Sequence, residues 1–185
     1  MRKLHVFNNV SLDGFFTDRH NDMSWAHRQD PEWNAFVSGN ASGAGELLFG
    51  RVTYEQMAAF WPTPQAAQIM PAVAAGMNAM RKSVFSRTLR TVTWQNTTLL
   101  TGDLIAEATR LKSQPGPDLV ILGSGSIVSQ LTQARLIDGY QVVVQPIVLG
   151  QGRTMFDTVT DRLNLRLTQS RPFSNGNVVL WYEPA

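Results

Sequence analysis

The sequence predicts an α/β fold: a mixed, mainly parallel sheet with helices on both faces, ending in an antiparallel β-hairpin. Three observations predict it. Short apolar runs alternate with helix-like segments up to about residue 149, and such alternation implies parallel strands joined by crossover helices. Three of these runs end at glycine- or serine-containing junctions that read as strand-to-helix turns. Two final strand-like runs flank Ser174-Asn-Gly-Asn177, and Asn-Gly between strand patterns signals a tight hairpin.

Residues 3–10 read as a buried strand with Leu4, Val6 and Val10 on one face. Ser11-Leu-Asp-Gly14 breaks it. The polar and aromatic stretch to about residue 30 has no period, so a long loop is expected, and long loops in small domains often carry function. Asp30-Pro-Glu-Trp33 opens a helix, with Asp30 as N-cap, Pro31 at the first helical position and Glu32 in the first turn. Glu46-Leu-Leu-Phe-Gly50 is a short strand, and Arg51 begins the next helix. Residues 61–80 hold Pro62, Pro64 and Pro71 among many alanines and read as a loop plus a loose helix. Residues 82–85 form another strand, and Leu99-Leu100, with Trp94 nearby, marks one more. Residues 103–112 place Leu104, Ile105, Ala108 and Leu111 on one helical face before Pro115-Gly-Pro117 ends the helix. Residues 119–122 are a fully apolar strand, and Ser126 reads as the cap of a helix that buries Ile127, Val128, Leu131 and Ala134. Residues 140–149 are the longest β-type run, with Pro146 inside it. Leu163, Leu165 and Leu167 then alternate ahead of a last strand at 178–182. No repeat or linker divides the chain, so residues 1–185 read as one domain.

Composition narrows the chemistry. The chain is 43% hydrophobic with five tryptophans, enough for an ordered core. Charged residues make up 16%, against roughly 25% in average domains. That sparse charge and the apolar run at 142–149 lead to the expectation of a homodimer. The net charge is +2 with no basic tract, which sets nucleic acid aside. No stretch approaches the roughly 18 consecutive apolar residues of a membrane helix, so a cytoplasmic protein with no membrane contact is expected. The absence of cysteine excludes disulfides, thiolate catalysis and Cys-ligated metals. His5, His20 and His27 lack metal-ligand spacing, and no metal is expected. No Gly-x-Ser-x-Gly elbow occurs, which leaves hydrolysis unsupported.

The three junctions carry the remaining signal. In Leu48-Phe-Gly50-Arg51-Val-Thr53, glycine lets a ligand approach the backbone and the following helix presents unpaired N–H groups. Arg51 can fork onto a phosphate. An ordinary strand end with a solvent-facing arginine explains the same residues. In Val84-Phe-Ser86-Arg87-Thr88, the serine and arginine suit either a nucleotide 2′-phosphate or a plain polar turn. Leu122-Gly-Ser-Gly-Ser126 fails the dinucleotide fingerprint. Val128 replaces the third glycine, and Val143 stands about twenty residues on, where an acid is needed. A phosphate cradle and a simple strand-to-helix turn both fit it. Three such junctions on one sheet weigh more than any one.

Ser11-Leu-Asp-Gly14, Leu48-Phe-Gly-Arg-Val-Thr-Tyr-Glu55, Lys82-Ser-Val-Phe-Ser86, Leu122-Gly-Ser-Gly-Ser126 and Pro146-Ile-Val-Leu-Gly-Gln-Gly152 occur in that order. Together, over residues 2–183, they resemble the dihydrofolate-reductase-like family. The branch is the one that includes the C-terminal reductase domain of the bifunctional riboflavin-biosynthesis deaminase-reductases. The resemblance implies a dihydrofolate-reductase-like three-layer fold with NADPH along the strand C-termini. It also implies a reductase that passes hydride to a C=N or C=O bond of a pterin-like or aminopyrimidine-like heterocycle, in the manner of a 5-amino-6-(5-phosphoribosylamino)uracil reductase.

Residue by residue, the resemblance puts Gly50, Arg51 and Thr53 on the cofactor phosphates and Ser86 and Arg87 at the adenosine 2′-phosphate. Gly123, Ser124, Gly125, Ser126 and Ile127 would wrap the pyrophosphate and nicotinamide side. Residues 11–25 would cover nicotinamide and substrate, with Trp25, Pro146 and Gly150 lining the substrate pocket. Asp13 is the nominee for proton donor, and a turn cap before Gly14 is its alternative use. Two departures stand out. Dihydrofolate reductases carry adjacent glycines with a cis peptide where Ser124 here separates Gly123 from Gly125. Their pterin-gripping carboxylate on the first helix has no match, since Asp30 and Glu32 lie only at the helix start. That second departure keeps open an NADPH-binding sensor or assembly protein without turnover. A flavin or quinone reductase using the same site is the third alternative.

Overall fold

Residues 1–28, 30–41 and 45–185 are described by the computed structural model. In chain order they form β1 (Leu4–Ser11), β2 (Thr17–Asp18), a 3₁₀ turn (Ser24–Ala26), α1 (Pro31–Ala41), β3 (Glu46–Gly50) and α2 (Arg51–Phe60). Next come α3 (Pro64–Ile69), α4 (Pro71–Ala79), β4 (Arg81–Phe85), β5 (Thr97–Leu100), α5 (Leu104–Ser113) and β6 (Leu119–Leu122). The chain closes with α6 (Gly125–Gln133), β7 (Gly139–Gln145), β8 (Gly152–Arg153), β9 (Leu165–Pro172) and β10 (Val178–Pro184).

Among the described residues, eight strands form one sheet in the order β5-β4-β3-β6-β1-β7-β10-β9. The first six run parallel, and β10 is antiparallel to both β7 and β9. The expected mixed sheet with a terminal hairpin is therefore present. The pleated backbone of each strand sends alternate side chains to opposite faces. Leu4, Val6, Leu48 and Ile121 meet Leu104, Ala108 and Leu111 of α5 and Val128 and Leu131 of α6 on one face. On the other, Leu47, Phe49 and Val84 meet Tyr54 of α2 and Val73 and Met77 of α4, while Val143 and Val179 meet Trp33 of α1.

Several boundaries differ from expectation for local reasons. The 61–80 segment folds as two helices, each with proline in its first turn, where a missing N–H costs nothing. β7 stops at Gln145 rather than running to 149, since Pro146 has no N–H for the ladder. The long loop after β1 contains β2, which pairs with β8. The cap of α6 is Ser124 instead of Ser126, and its side chain does not bond to the first turn. No helix among the described residues is long and apolar enough to cross a membrane.

Lys82 is buried on the α4 face, with its ammonium donating to the carbonyls of Asn78 (3.3 Å) and Met80 (2.5 Å) and lying 4.5 Å from the Trp94 ring centre. Burial pulls its pKa down from 10.5 to about 8. Between those values the unfolded chain holds a proton that the folded chain has released, so stability rises with pH across that window. The expected gain is on the order of 3 kcal/mol. Chemical denaturation at a series of pH values should show this rise in the wild type and lose it in Lys82→Met.

Candidate functional site

The C-terminal ends of the parallel strands bring Gly50, Gly123, Ser11 and Gln145 to one edge, with Ser86 just beyond β4 on the same edge. Strand spacing of about 4.8 Å makes neighbouring ends near enough for one extended ligand. The β3 and β6 ends are tied together. The Gly50 N–H donates to Ser124 Oγ (2.7 Å), and the Ser124 N–H donates to Thr53 Oγ1 (3.0 Å). Asn8 clasps Gly123 from β1: its Oδ1 accepts from the Gly123 N–H (2.6 Å), and its Nδ2 donates to the Gly123 carbonyl (3.2 Å).

This network turns the chain through two successive left-handed residues, Gly123 (φ 59°) and Ser124 (φ 56°), with no cis peptide among the described residues. Left-handed backbone costs a serine on the order of 1 kcal/mol, and the four bonds around Ser124 and Gly123 offset it. Glycine is required at 123 for space as well, because a Cβ there would lie 2.9 Å from Thr53 Cγ2. At Gly125 a Cβ would lie 2.6 Å from the Phe16 ring.

Two helices begin at this junction. α2 starts after Gly50 and α6 after Ser124, and neither has a side-chain cap or an acidic residue in its first turn. Their first N–H groups have no intrahelical acceptor and sit at the positive end of the helix dipole. Two such ends on adjacent strands suit a ligand with more than one phosphate. Ser126 exposes its hydroxyl in the first turn of α6. Ile127 instead turns its side chain into the core, and its N–H goes to the Ser124 carbonyl (2.8 Å).

Arg51 is half exposed and pairs with Glu55 (2.9 Å), which leaves other guanidinium donors for a second partner. Ser86 Oγ accepts from the N–H groups of Thr88 (3.2 Å) and Leu89 (2.9 Å), closing a turn after β4 that leads to β5 and not into the helix expected there. Arg87 beside it is exposed and makes no hydrogen bond or ion pair among the described residues.

The loops after β1 and β7 are zipped together. Leu12 N–H donates to the Ile147 carbonyl and Phe16 N–H to that of Arg153, both at 2.8 Å. Asp13 locks this arrangement, accepting from Ser11 Oγ (2.6 Å), Leu149 N–H (3.1 Å) and Gly150 N–H (2.7 Å). The Ser11 hydroxyl and then these two amides hold its carboxyl below the ordinary range. These contacts favour the ionised carboxylate, which suits a clamp on residues 149–150. Pro146 packs toward Gly176, and the Trp25 indole donates to the Asp22 carbonyl of its own loop (3.0 Å). Asp13 and Gly150 are brought together, and among the described residues no hydrogen bond joins Trp25 or Pro146 to them.

The carboxylates that open α1 are both engaged. Asp30 accepts from the Trp33 N–H (2.8 Å) and Ser174 Oγ (2.9 Å), which lower its pKa in that order, and Glu32 pairs with Arg171 (2.9 Å). An apolar cleft of about 280 Å³ lies on the other side of the sheet, lined by Val10, Tyr140, Val142, Met155, Phe156 and Tyr182 among others. Of the residues expected at the site it includes only Gly14, from the 11–25 segment.

Sequence reasoning overlooked Asn8, Gln145 and Asn177. Their signal was present in part: Asn8 and Gln145 are polar residues inside apolar strand runs, where a side chain needs a specific partner.

The RibD C-terminal domain family model matches residues 2–179 of the chain. The uncharacterized protein YyaP of Bacillus subtilis (strain 168) is 26% identical over 173 residues, covering 94% of this chain and 90% of that protein. The uncharacterized protein YwjB of the same organism is 24% identical over 172 residues, covering 93% and 92%. The structure of a putative riboflavin biosynthesis protein from Shewanella sp. PV-4 superposes with a TM-score of 0.75 at 19% identity, over 99% of each chain. A deaminase/5-amino-6-(5-phosphoribosylamino)uracil reductase from Thermotoga maritima has a TM-score of 0.68 at 14% identity, over 100% of this chain and 57% of that one.

Proposed function

This chain belongs to the RibD C-terminal domain family, and on that footing we propose that it is an NADPH-dependent reductase of a pterin-like or aminopyrimidine-like heterocycle. The observation that carries the nucleotide half is the pair of uncapped helix starts laced together through Gly50, Ser124 and Thr53. The first-turn N–H groups of both helices, with Arg51, Gly123, Gly125 and Ser126, hold the pyrophosphate. Ser86 and Arg87 flank the same edge and take the 2′-phosphate. Bound there, NADPH supplies the hydride. Asp13 keeps the 146–150 loop in place beside the substrate, and water supplies the proton. The reductase named in the Thermotoga relative supports the same reaction class.

Arg87 separates this proposal from a generic anion site. Arg87→Ala should weaken NADPH by roughly 10–100-fold, the worth of a charge-assisted pair, and leave NADH nearly unchanged. Calorimetric titration of both nucleotides decides it, and equal losses would remove the 2′-phosphate role. NADPH consumption against a panel of pterins and aminopyrimidines tests turnover. Binding without consumption of any of them points to a sensor, a reading favoured by the engagement of Asp30 and Glu32 elsewhere. Flavin retained on purification would point to a flavin reductase.

We also propose a homodimer through the sheet face that carries the apolar cleft. There Val142, Val144, Leu180 and Tyr182 are half-buried, while Leu165, Leu167 and Phe156 are exposed. Apolar patches of this kind usually meet a partner. Light scattering should give twice the 20.5 kDa chain mass, and Leu167→Glu should return a monomer; a monomeric wild type would overturn the dimer.

A further inference from the structure

We propose that the side-chain amides of Gln145 and Asn177 form a neutral recognition pair for the substrate, covered in the free protein by the segment around Ala26. This deepens the reductase reading and rests on it for the identity of the ligand. Val178 pairs with Val144, so the next step along the two strands sets Asn177 beside Gln145. Val143 and Val179 pair on the face that holds Trp33 and Phe173, and alternation puts Gln145 and Asn177 on that same face. The position is the C-terminal end of β7, next to Ser11 at the end of β1.

Both residues are fully buried (0% exposed). Gln145 Nε2 donates to Asn9 Oδ1 (2.9 Å) and reaches the Ala26 carbonyl only at 3.5 Å. Gln145 Oε1, Asn177 Oδ1 and Asn177 Nδ2 have no partner among the described residues. Buried amides are almost always paired, and unpaired ones are costly. Three unmatched atoms on two adjacent side chains, at the strand ends that hold the candidate site, mark a surface awaiting its complement. The Ala26 carbonyl, at the limit of bonding distance, stands in for a ligand carbonyl.

The free atoms are two acceptors and one NH₂ donor, with no charge among them. Their complement is a neutral edge that presents N–H donors beside a C=O, as on a planar lactam ring. The carboxylate nearest in the hairpin contacts, Asp30, is already bonded to Ser174.

The test uses lumazine and 1,3-dimethyllumazine, which share a ring but differ in the N–H edge, titrated calorimetrically onto the NADPH-saturated full chain. Lumazine should bind the wild type at least about tenfold more tightly, and Gln145→Met and Asn177→Leu should erase the difference. Asn177→Leu should also raise the melting temperature by roughly 2–4 °C, because an apolar isostere replaces an unpartnered amide. Equal affinities, no binding of either ligand, or a lowered melting temperature in Asn177→Leu would overturn the proposal; the last would assign the amides to internal water. If NADPH itself fails to bind, the nucleotide reading falls, and the same two ligands on the free chain still judge the amide pair.

Discussion

Glu46→Ala is expected to lower stability by about 3–5 kcal/mol, the range for removing one member of a buried ion pair. Glu46 opens β3 and is 7% exposed; its Oε2 accepts from Arg2 Nη2 (2.8 Å) and its Oε1 from Ser83 Oγ (2.9 Å). Arg2 is 6% exposed and also donates to the Pro117 carbonyl. Alanine would leave the guanidinium buried without its counter-charge and Ser83 without its acceptor. The double change Arg2→Met, Glu46→Leu should cost far less, because two apolar side chains leave no charge stranded. Urea denaturation of the two single variants and the double variant measures the coupling. A loss below about 1 kcal/mol in Glu46→Ala would mean that Arg2 swings into solvent. The pair lies at the amino end of the sheet, so nucleotide affinity of the folded variant should be unchanged.

Gly123→Ala is expected to lose nucleotide affinity on the order of 100-fold, with about 2 kcal/mol of stability. A left-handed alanine alone costs on the order of 1 kcal/mol. The added methyl would also sit 2.9 Å from Thr53 Cγ2 and 3.1 Å from Thr53 Oγ1. Thr53 must then move and release the Ser124 N–H, which unlaces the two helix starts. Gly150→Ala is the control. That glycine has φ +74° with nothing within 4 Å of its Cβ position, so it carries the backbone strain without the collision. Titration of NADPH against both variants isolates the steric part, and equal effects would show that the laced junction does not hold the nucleotide.

Much of the architecture could be read from local pattern. Apolar alternation and the Asn-Gly turn identified the strands and the hairpin. Proline marked the helix start at Pro31, whereas Pro64 and Pro71 open two helices where a loop plus one loose helix was expected. Pro146 was placed inside a strand that in fact ends one residue earlier. Within the site, Gly50 and Gly123 to Ser126 stood out because glycine and serine between a strand and a helix are visible in a short window. Ile127 stood in the same window, and its side chain packs in the core as the helical periodicity led one to expect.

By itself, then, the sequence determined the fold class, most of the element order and the strand-to-helix junctions after β3 and β6, since periodicity and turn chemistry act between residues a few positions apart. Only the tertiary structure decided what each polar group meets. The sheet order inserts β6 between β3 and β1, and that places Ser124 on Gly50 and Asn8 on Gly123. It closes Asp13 over Gly150 and sets Gln145 against Asn177. The role of a carboxylate or an amide depends on which donors and acceptors arrive beside it, and those come from strands distant in the chain.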